Sequence, residues 1–243
     1  MKTTYILGVP IHIITLKEAT EKLLSFVHGE NNHIVVTPNP EMVVHATKDE
    51  EFLQIIKGAD LIIPDGIGLV LASKFVGDKI SQRVPGVDLV TSLFAAKKHL
   101  RVYILGGAPG VGELAKKNIE DKYSHIKVVG TKNGYFKPQE EEIIVEEIKR
   151  LKPHVLLVGL GFPKQEKWIS KHKDLPVNVS MGVGGTIDVF AGVVKRAPKI
   201  FIKFNLEWFY RLLTNPKRIL RMAALPIFVV RVLRQAGKNL PKG

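Results

Sequence analysis

Short apolar runs alternate with longer stretches of helical spacing along most of this chain, and that alternation restricts it to a layered α/β architecture. Tyr5–Val9, His33–Val36, Leu61–Ile63, Val102–Leu105, Ile126–Val129, Val155–Val158 and Val177–Met181 read as strands. Leu16–Val27, Pro40–Lys57, Gly68–Phe75, Val87–Lys98, Val111–Tyr123 and Gln139–Leu151 carry apolar residues at helical spacing. Crossover helices between strands favour a mostly parallel sheet with helices on both faces. At 243 residues, 45% of them hydrophobic, the chain is long enough for one sizeable core and an appendage.

The strand ends carry the chemistry. The run Ala59–Pro64 delivers Asp65, followed at once by Gly66-Ile67-Gly68. His33–Val36 runs into Thr37-Pro38-Asn39-Pro40. In a Rossmann-like sheet, ligands bind beyond the carboxyl ends of the strands, so a hydroxyl, an amide and a carboxylate are expected in one crevice. Such a set suits a hydroxyl-rich substrate from which a proton is removed. Three further strands end in glycine turns: Leu105-Gly106-Gly107, Val158-Gly159-Leu160-Gly161 and Met181-Gly182-Val183-Gly184-Gly185. Close backbone approach and free N–H groups at the following helix starts suggest a diphosphate-bearing ligand.

Charge divides the chain at Lys195. The net charge is +13, yet residues 196–243 and Lys195 together hold twelve Lys and Arg against one acid, Glu207. Residues 1–195 therefore read as an α/β core, and residues 196–243 as a basic amphipathic helical appendage. Phe201, Phe204, Trp208, Phe209 and Tyr210 are mixed with arginines there, and the longest uncharged stretch is Met222–Val230, interrupted by Pro226. That is far short of the roughly 20 residues needed to span a bilayer, so the tail is expected to lie on a membrane surface. The N-terminus is broken too early by Gly8 and Pro10 to read as a secretory signal, and a chain without cysteine has no disulfide or thiolate site. Both fit a cytoplasmic protein.

Several chemistries are disfavoured. Gly107-Ala-Pro-Gly110-Val-Gly112 has its glycines in the wrong order for a dinucleotide fingerprint, and Val128-Val129-Gly130-Thr131 ends without an acid for an adenosine ribose. Walker A, HExxH and G-x-S-x-G patterns are absent, as is an Asp-x-Asp metal pair in the body. No metal and no cofactor are expected. A leaving diphosphate would be met by arginines, backbone N–H groups and helix ends.

Five blocks now fall in order: Thr37-Pro-Asn39-Pro-Glu41, Pro64-Asp65-Gly66-Ile-Gly68, Arg83-Val-Pro-Gly86, Gly159-Leu-Gly161-Phe-Pro163-Lys164-Gln165-Glu166, and Gly184-Gly185-Thr-Ile-Asp188 through Gly192, Lys195-Arg196 and Pro198. Together they resemble the WecG/TagA/CpsF glycosyltransferases over essentially the whole chain. The resemblance implies an inverting transfer of N-acetylmannosamine from UDP to undecaprenyl-diphosphate-linked N-acetylglucosamine, in the manner of the family's wall teichoic acid branch. Other branches use N-acetylmannosaminuronic acid or glucose. It also implies a peripheral enzyme on the inner face of the cell membrane.

On this reading Asp65 is the base, with Thr37 and Asn39 orienting it or the sugar. Arg83, Gln165, Lys164, Gly106, Gly107, Gly159, Gly161, Gly184, Gly185 and Asp188 form the substrate-binding side. Arg211, Arg218 and Arg221 clamp the lipid diphosphate. Plainer roles stand beside these. Asp65, Thr37 and Asn39 suit helix caps, Arg83 a solvated surface arginine, and Gln165 an exposed first-turn residue. His12, His28, His33 and His45 form no metal-like set. The basic tail also permits a nucleic-acid-binding protein, although its Phe, Trp, Ile and Leu content argues against nucleic acid. A nicotinamide oxidoreductase is a weaker third reading. Oligomeric state is left open, homo-oligomer included.

Overall fold

The structure, a computed structural model, describes residues 1–96, 98–214 and 223–239. It opens with an antiparallel hairpin, β1 (Thr3–Ile6) and β2 (Val9–His12). The run Tyr5–Val9 is thus a reversal and not one strand. Leu7 and Gly8 both take positive φ, 52° and 83°, the two-residue turn whose twist suits a tight hairpin.

The main sheet has six parallel strands in the order β4 (Leu61–Ile62), β3 (His33–Val36), β8 (Val179–Gly182), β7 (Val155–Gly159), β5 (Leu100–Gly106) and β6 (Ile126–Lys132). Period-two alternation sorts the strand residues onto two faces. Val102 and Ile104 of β5, with Val155 and Leu157 of β7, join the core under α1 (Leu16–Val27), α5 (Gly86–Ala95), α6 (Val111–Lys122) and α9 (Thr186–Phe190). Tyr103, Leu105, Leu156 and Val158 turn the other way, toward α7 (Pro138–Leu151) and α8 (Lys164–Lys171). On that same side, Val36 and Ile62 pack with the hairpin, α2 (Pro40–Ala46), α3 (Glu50–Lys57) and α4 (Ile67–Val76). The continuous helix expected over Pro40–Lys57 is broken because the Asp49 carboxylate accepts from Phe52 N at 2.9 Å and starts a new helix.

The described residues of the tail form α10 (Lys199–Lys203), α11 (Glu207–Thr214) and α12 (Ala224–Asn239). α12 returns to the body and lies on α2 and α4, where Phe228 and Val232 are buried in the same core as Ile6, Val43 and Leu69. The Gln235 side chain accepts from Leu7 N at 2.8 Å and donates to Tyr5 O at 3.1 Å, tying α12 to the hairpin. Arg231 donates to the Thr47 hydroxyl. Apolar residues of the tail nonetheless remain exposed, among them Phe204, Trp208, Phe209, Leu213, Val230 and Leu233. No helix among the described residues is long and apolar enough to cross a membrane.

Docking of α12 makes Phe228 a core residue and leaves Leu233 a surface one. Phe228→Ala is expected to lower unfolding free energy by about 3 kcal/mol or more. Leu233→Ala is expected to stay within about 0.5 kcal/mol of the wild type, both measured by urea denaturation. Equal effects would mean that α12 does not dock.

Candidate active site

Beyond their last paired residues, β3 and β4 continue side by side. Ile63 N donates to Val36 O at 3.0 Å and Asp65 N to Pro38 O at 2.9 Å, which sets Asp65 next to the Thr37–Asn39 segment. Gly66 takes φ 148° and ψ 138°, a conformation open almost only to glycine, and holds the N-cap of α4. Asp65 therefore stands one residue outside that helix. Thr37 is buried, with its hydroxyl 3.4 Å from Gly182 O. Asn39 does cap α2, its Oδ1 accepting from Met42 N at 3.0 Å.

These residues line one side of a cleft of about 950 Å³ at the carboxyl ends of the strands. Thr37, Asn39, Asp65, Arg83, Gly107, Gly159, Gly161, Lys164, Gln165, Gly184, Gly185 and Asp188 all lie on its wall. The size suits a nucleotide-sized ligand. Gly106 is the exception. It is buried behind the lining at φ 138°, where a Cβ would meet Gly159 O at 2.4 Å, so its role is the close approach of β5 to β7. Arg218 and Arg221 lie outside the described residues, and Arg211 falls on α11 with its side chain outside the description.

Arg83 and Gln165 are not surface residues. Arg83 is 13% exposed and its Nη2 sits 3.2 Å from an oxygen of Glu207, itself 5% exposed, at the start of α11. The tail's single acid thus crosses into the cleft. Sequence reasoning assigned it no role, although its isolation among twelve cations was a signal. Trp208 follows Glu207 onto the wall, with Leu225 from α12. Glu41, Tyr135, Phe136 and Trp168 are further lining residues that received no role from the sequence.

Gln165 is 4% exposed; its Oε1 accepts from Gly184 N at 3.0 Å and its Nε2 donates to Glu166 at 2.7 Å. Burial pushes the Glu166 carboxyl above the ordinary range, the Gln165 bond opposing only in part. Desolvation likewise raises Asp188. Among the described residues no three His, Cys, Asp or Glu side chains converge as metal ligands. His12 accepts from Ile62 N, His33 stacks on Phe26 and His45 meets Asp49, which are structural uses.

Two expectations follow. Arg83→Ala and Glu207→Ala, combined in a double-mutant cycle of urea unfolding, should show a coupling of about 1–3 kcal/mol. A coupling near zero would mean that the pair is not formed. For Glu166, a folded-state value raised above the unfolded one favours the protonated form. The wild type therefore loses stability as pH rises from about 4.5 through the raised value, because the carboxyl ionises more readily in the unfolded chain than in its buried place. The stability of Glu166→Gln relative to the wild type should therefore be flat below that pH and increase above it.

A wall that joins an acid at a strand end to a half-buried guanidinium and a buried amide is suited to transfer chemistry on a polar substrate. Comparison with known proteins agrees. Residues 4–241 match the model of the Glycosyl transferase WecG/TagA/CpsF family. The N-acetylglucosaminyldiphosphoundecaprenol N-acetyl-beta-D-mannosaminyltransferase of Staphylococcus aureus strain MRSA252 is 39% identical over 238 residues, covering 96% of this chain and 93% of that protein. The enzyme of the same name from strain NCTC 8325 / PS 47 is 39% identical over the same span. With the family matched along nearly its whole length, this chain belongs to the WecG/TagA/CpsF family and is a glycosyltransferase.

Proposed function

We propose that the protein transfers N-acetylmannosamine from UDP to N-acetylglucosaminyl-diphospho-undecaprenol, forming a β(1,4) linkage with inversion, as a step of wall teichoic acid linkage-unit synthesis. The observation that carries this reading is the position of Asp65 in the same cleft as Arg83, Gln165 and Asp188. The printed activity of the Staphylococcus aureus relatives supplies the sugar and the acceptor.

In the proposed reaction the acceptor hydroxyl gives its proton to the Asp65 carboxylate as its oxygen attacks the anomeric carbon. The carbon–oxygen bond to UDP breaks and UDP leaves with the electron pair. An inverting displacement needs base and leaving group on opposite faces of the sugar. The glycine turns, Gln165, Lys164 and Asp188 belong to the donor side, and Thr37 and Asn39 to the reacting sugar. Arg83 uses one N–H group on Glu207, and a guanidinium has five, so it has donors left for a phosphate. These groups, without a metal or cofactor, meet the charge of the leaving diphosphate in this scheme.

The exposed aromatic and aliphatic residues of α10–α12, set among basic residues, support peripheral contact with an anionic membrane face, where the lipid-linked acceptor resides. Arg211, Arg218 and Arg221 are the proposed partners of its diphosphate.

The test is release of UDP from UDP-N-acetylmannosamine, with a short-chain polyprenyl-diphosphate-N-acetylglucosamine and a chelator present. Acceptor-dependent release is expected, falling about 10²–10⁴-fold in Asp65→Asn with donor affinity retained. Wild-type turnover by a folded Asp65→Asn protein would remove Asp65 as the base. Loss of activity on chelation would remove the metal-free scheme.

A further inference from the structure

Glu166 is 1% exposed, and its Oε2 has no hydrogen-bond partner. A buried carboxyl with an empty oxygen is costly, and an apolar side chain of similar size would pack there without that cost. The fold itself therefore gains little from an acid at this place. Its other oxygen, Oε1, accepts from Gln165 Nε2 at 2.7 Å.

The consequence lies in the orientation of the Gln165 amide. An amide can be turned end for end, and its partners decide which way it points. Gly184 N–H lies 3.0 Å from one end and requires an oxygen there, while the Glu166 oxygen requires an N–H at the other. With both bonds made, Gln165 has spent its oxygen and one of its two N–H groups, which leaves one N–H for whatever enters the cleft it lines.

The same pair sits hard against the end of β8. A Cβ on Gly182 would lie 2.8 Å from Gln165 Nε2 and 3.2 Å from Glu166 Oε1, and Gly182 O is the acceptor that Thr37 faces. The chain Glu166–Gln165–Gly184 thus fixes the glycine turn on one side of the cleft.

We infer that Glu166 is a positioning residue for the donor: its buried carboxyl holds the Gln165 amide so that one N–H faces a phosphate or sugar oxygen of the bound nucleotide while the amide oxygen pins the Gly184–Gly185 turn. This rests on the donor lying against Gln165, as proposed above. Glu166 touches no substrate and acts through Gln165.

The experiment uses the full chain, with UDP as the probe in calorimetric titration and donor KM and kcat measured alongside. Gln165→Leu and Glu166→Leu are each expected to weaken UDP binding about tenfold, as for loss of one well-placed hydrogen bond to a charged ligand. The double variant should bind no more weakly than Gln165→Leu alone. Glu166→Gln, whose amide oxygen still accepts from Gln165, should retain UDP affinity within about threefold. The losses should appear in donor KM, with kcat at saturating donor and acceptor KM little changed. Wild-type UDP affinity in a folded Glu166→Leu protein, with Gln165→Leu weakened, would overturn the inference. Additive losses in the double variant would overturn it too. If Gln165→Leu also bound UDP normally, the placement of the donor would fall, and this inference with it. Should Glu166→Leu fail to fold, Glu166→Met is read by the same criteria.

Discussion

β8 joins the two halves of this sheet. The chain builds β3 and β4 as one pair and β5, β6 and β7 as another group, and neither is paired with the other until β8 enters between β3 and β7. All four of its residues, Val179–Gly182, are buried. Its hydrogen bonds fix how far the Thr37–Asp65 side of the cleft stands from the Gly107–Gly159 side. The site lies beyond the carboxyl ends of these parallel strands, where open α/β sheets bind their ligands.

The end of β8 is crowded for the same reason. Gly182 has no room for a side chain because Gln165 and Glu166 of α8 lie directly over it. Thr37 reaches its carbonyl from the other side. A residue from each half of the sheet thus meets on a backbone position of the strand between them. Side-chain chemistry at the cleft is supported by main-chain geometry, which single substitutions on the surface do not alter.

The appendage belongs to this geometry through charge as well as packing. Phe228 and Val232 anchor α12 to α2 and α4, while Glu207 reaches from α11 to Arg83 in the cleft wall. An ion pair of low exposure is sensitive to the loss of either partner, because the remaining charge is left poorly solvated. Trp208 of α11 and Leu225 of α12 stand on the same wall, so the appendage contributes lining to the cleft as well as packing to the body.

The amino-acid sequence by itself determined the parallel α/β layout, the acid at the end of β4 and the basic, apolar character of the tail. Each is a local signal: a run of β-branched residues, a glycine after a carboxylate, a count of charges. The hairpin turn at Leu7-Gly8 and the break at Asp49 were less legible, because a positive φ and a helix cap depend on one or two residues within an otherwise regular pattern. Only the tertiary structure decided that Gly106 serves strand packing, that Glu207 faces Arg83, and that Glu166 is buried over Gly182. These relations join residues far apart in the chain or on opposite sides of a strand, and their physical basis is burial, which no local pattern records.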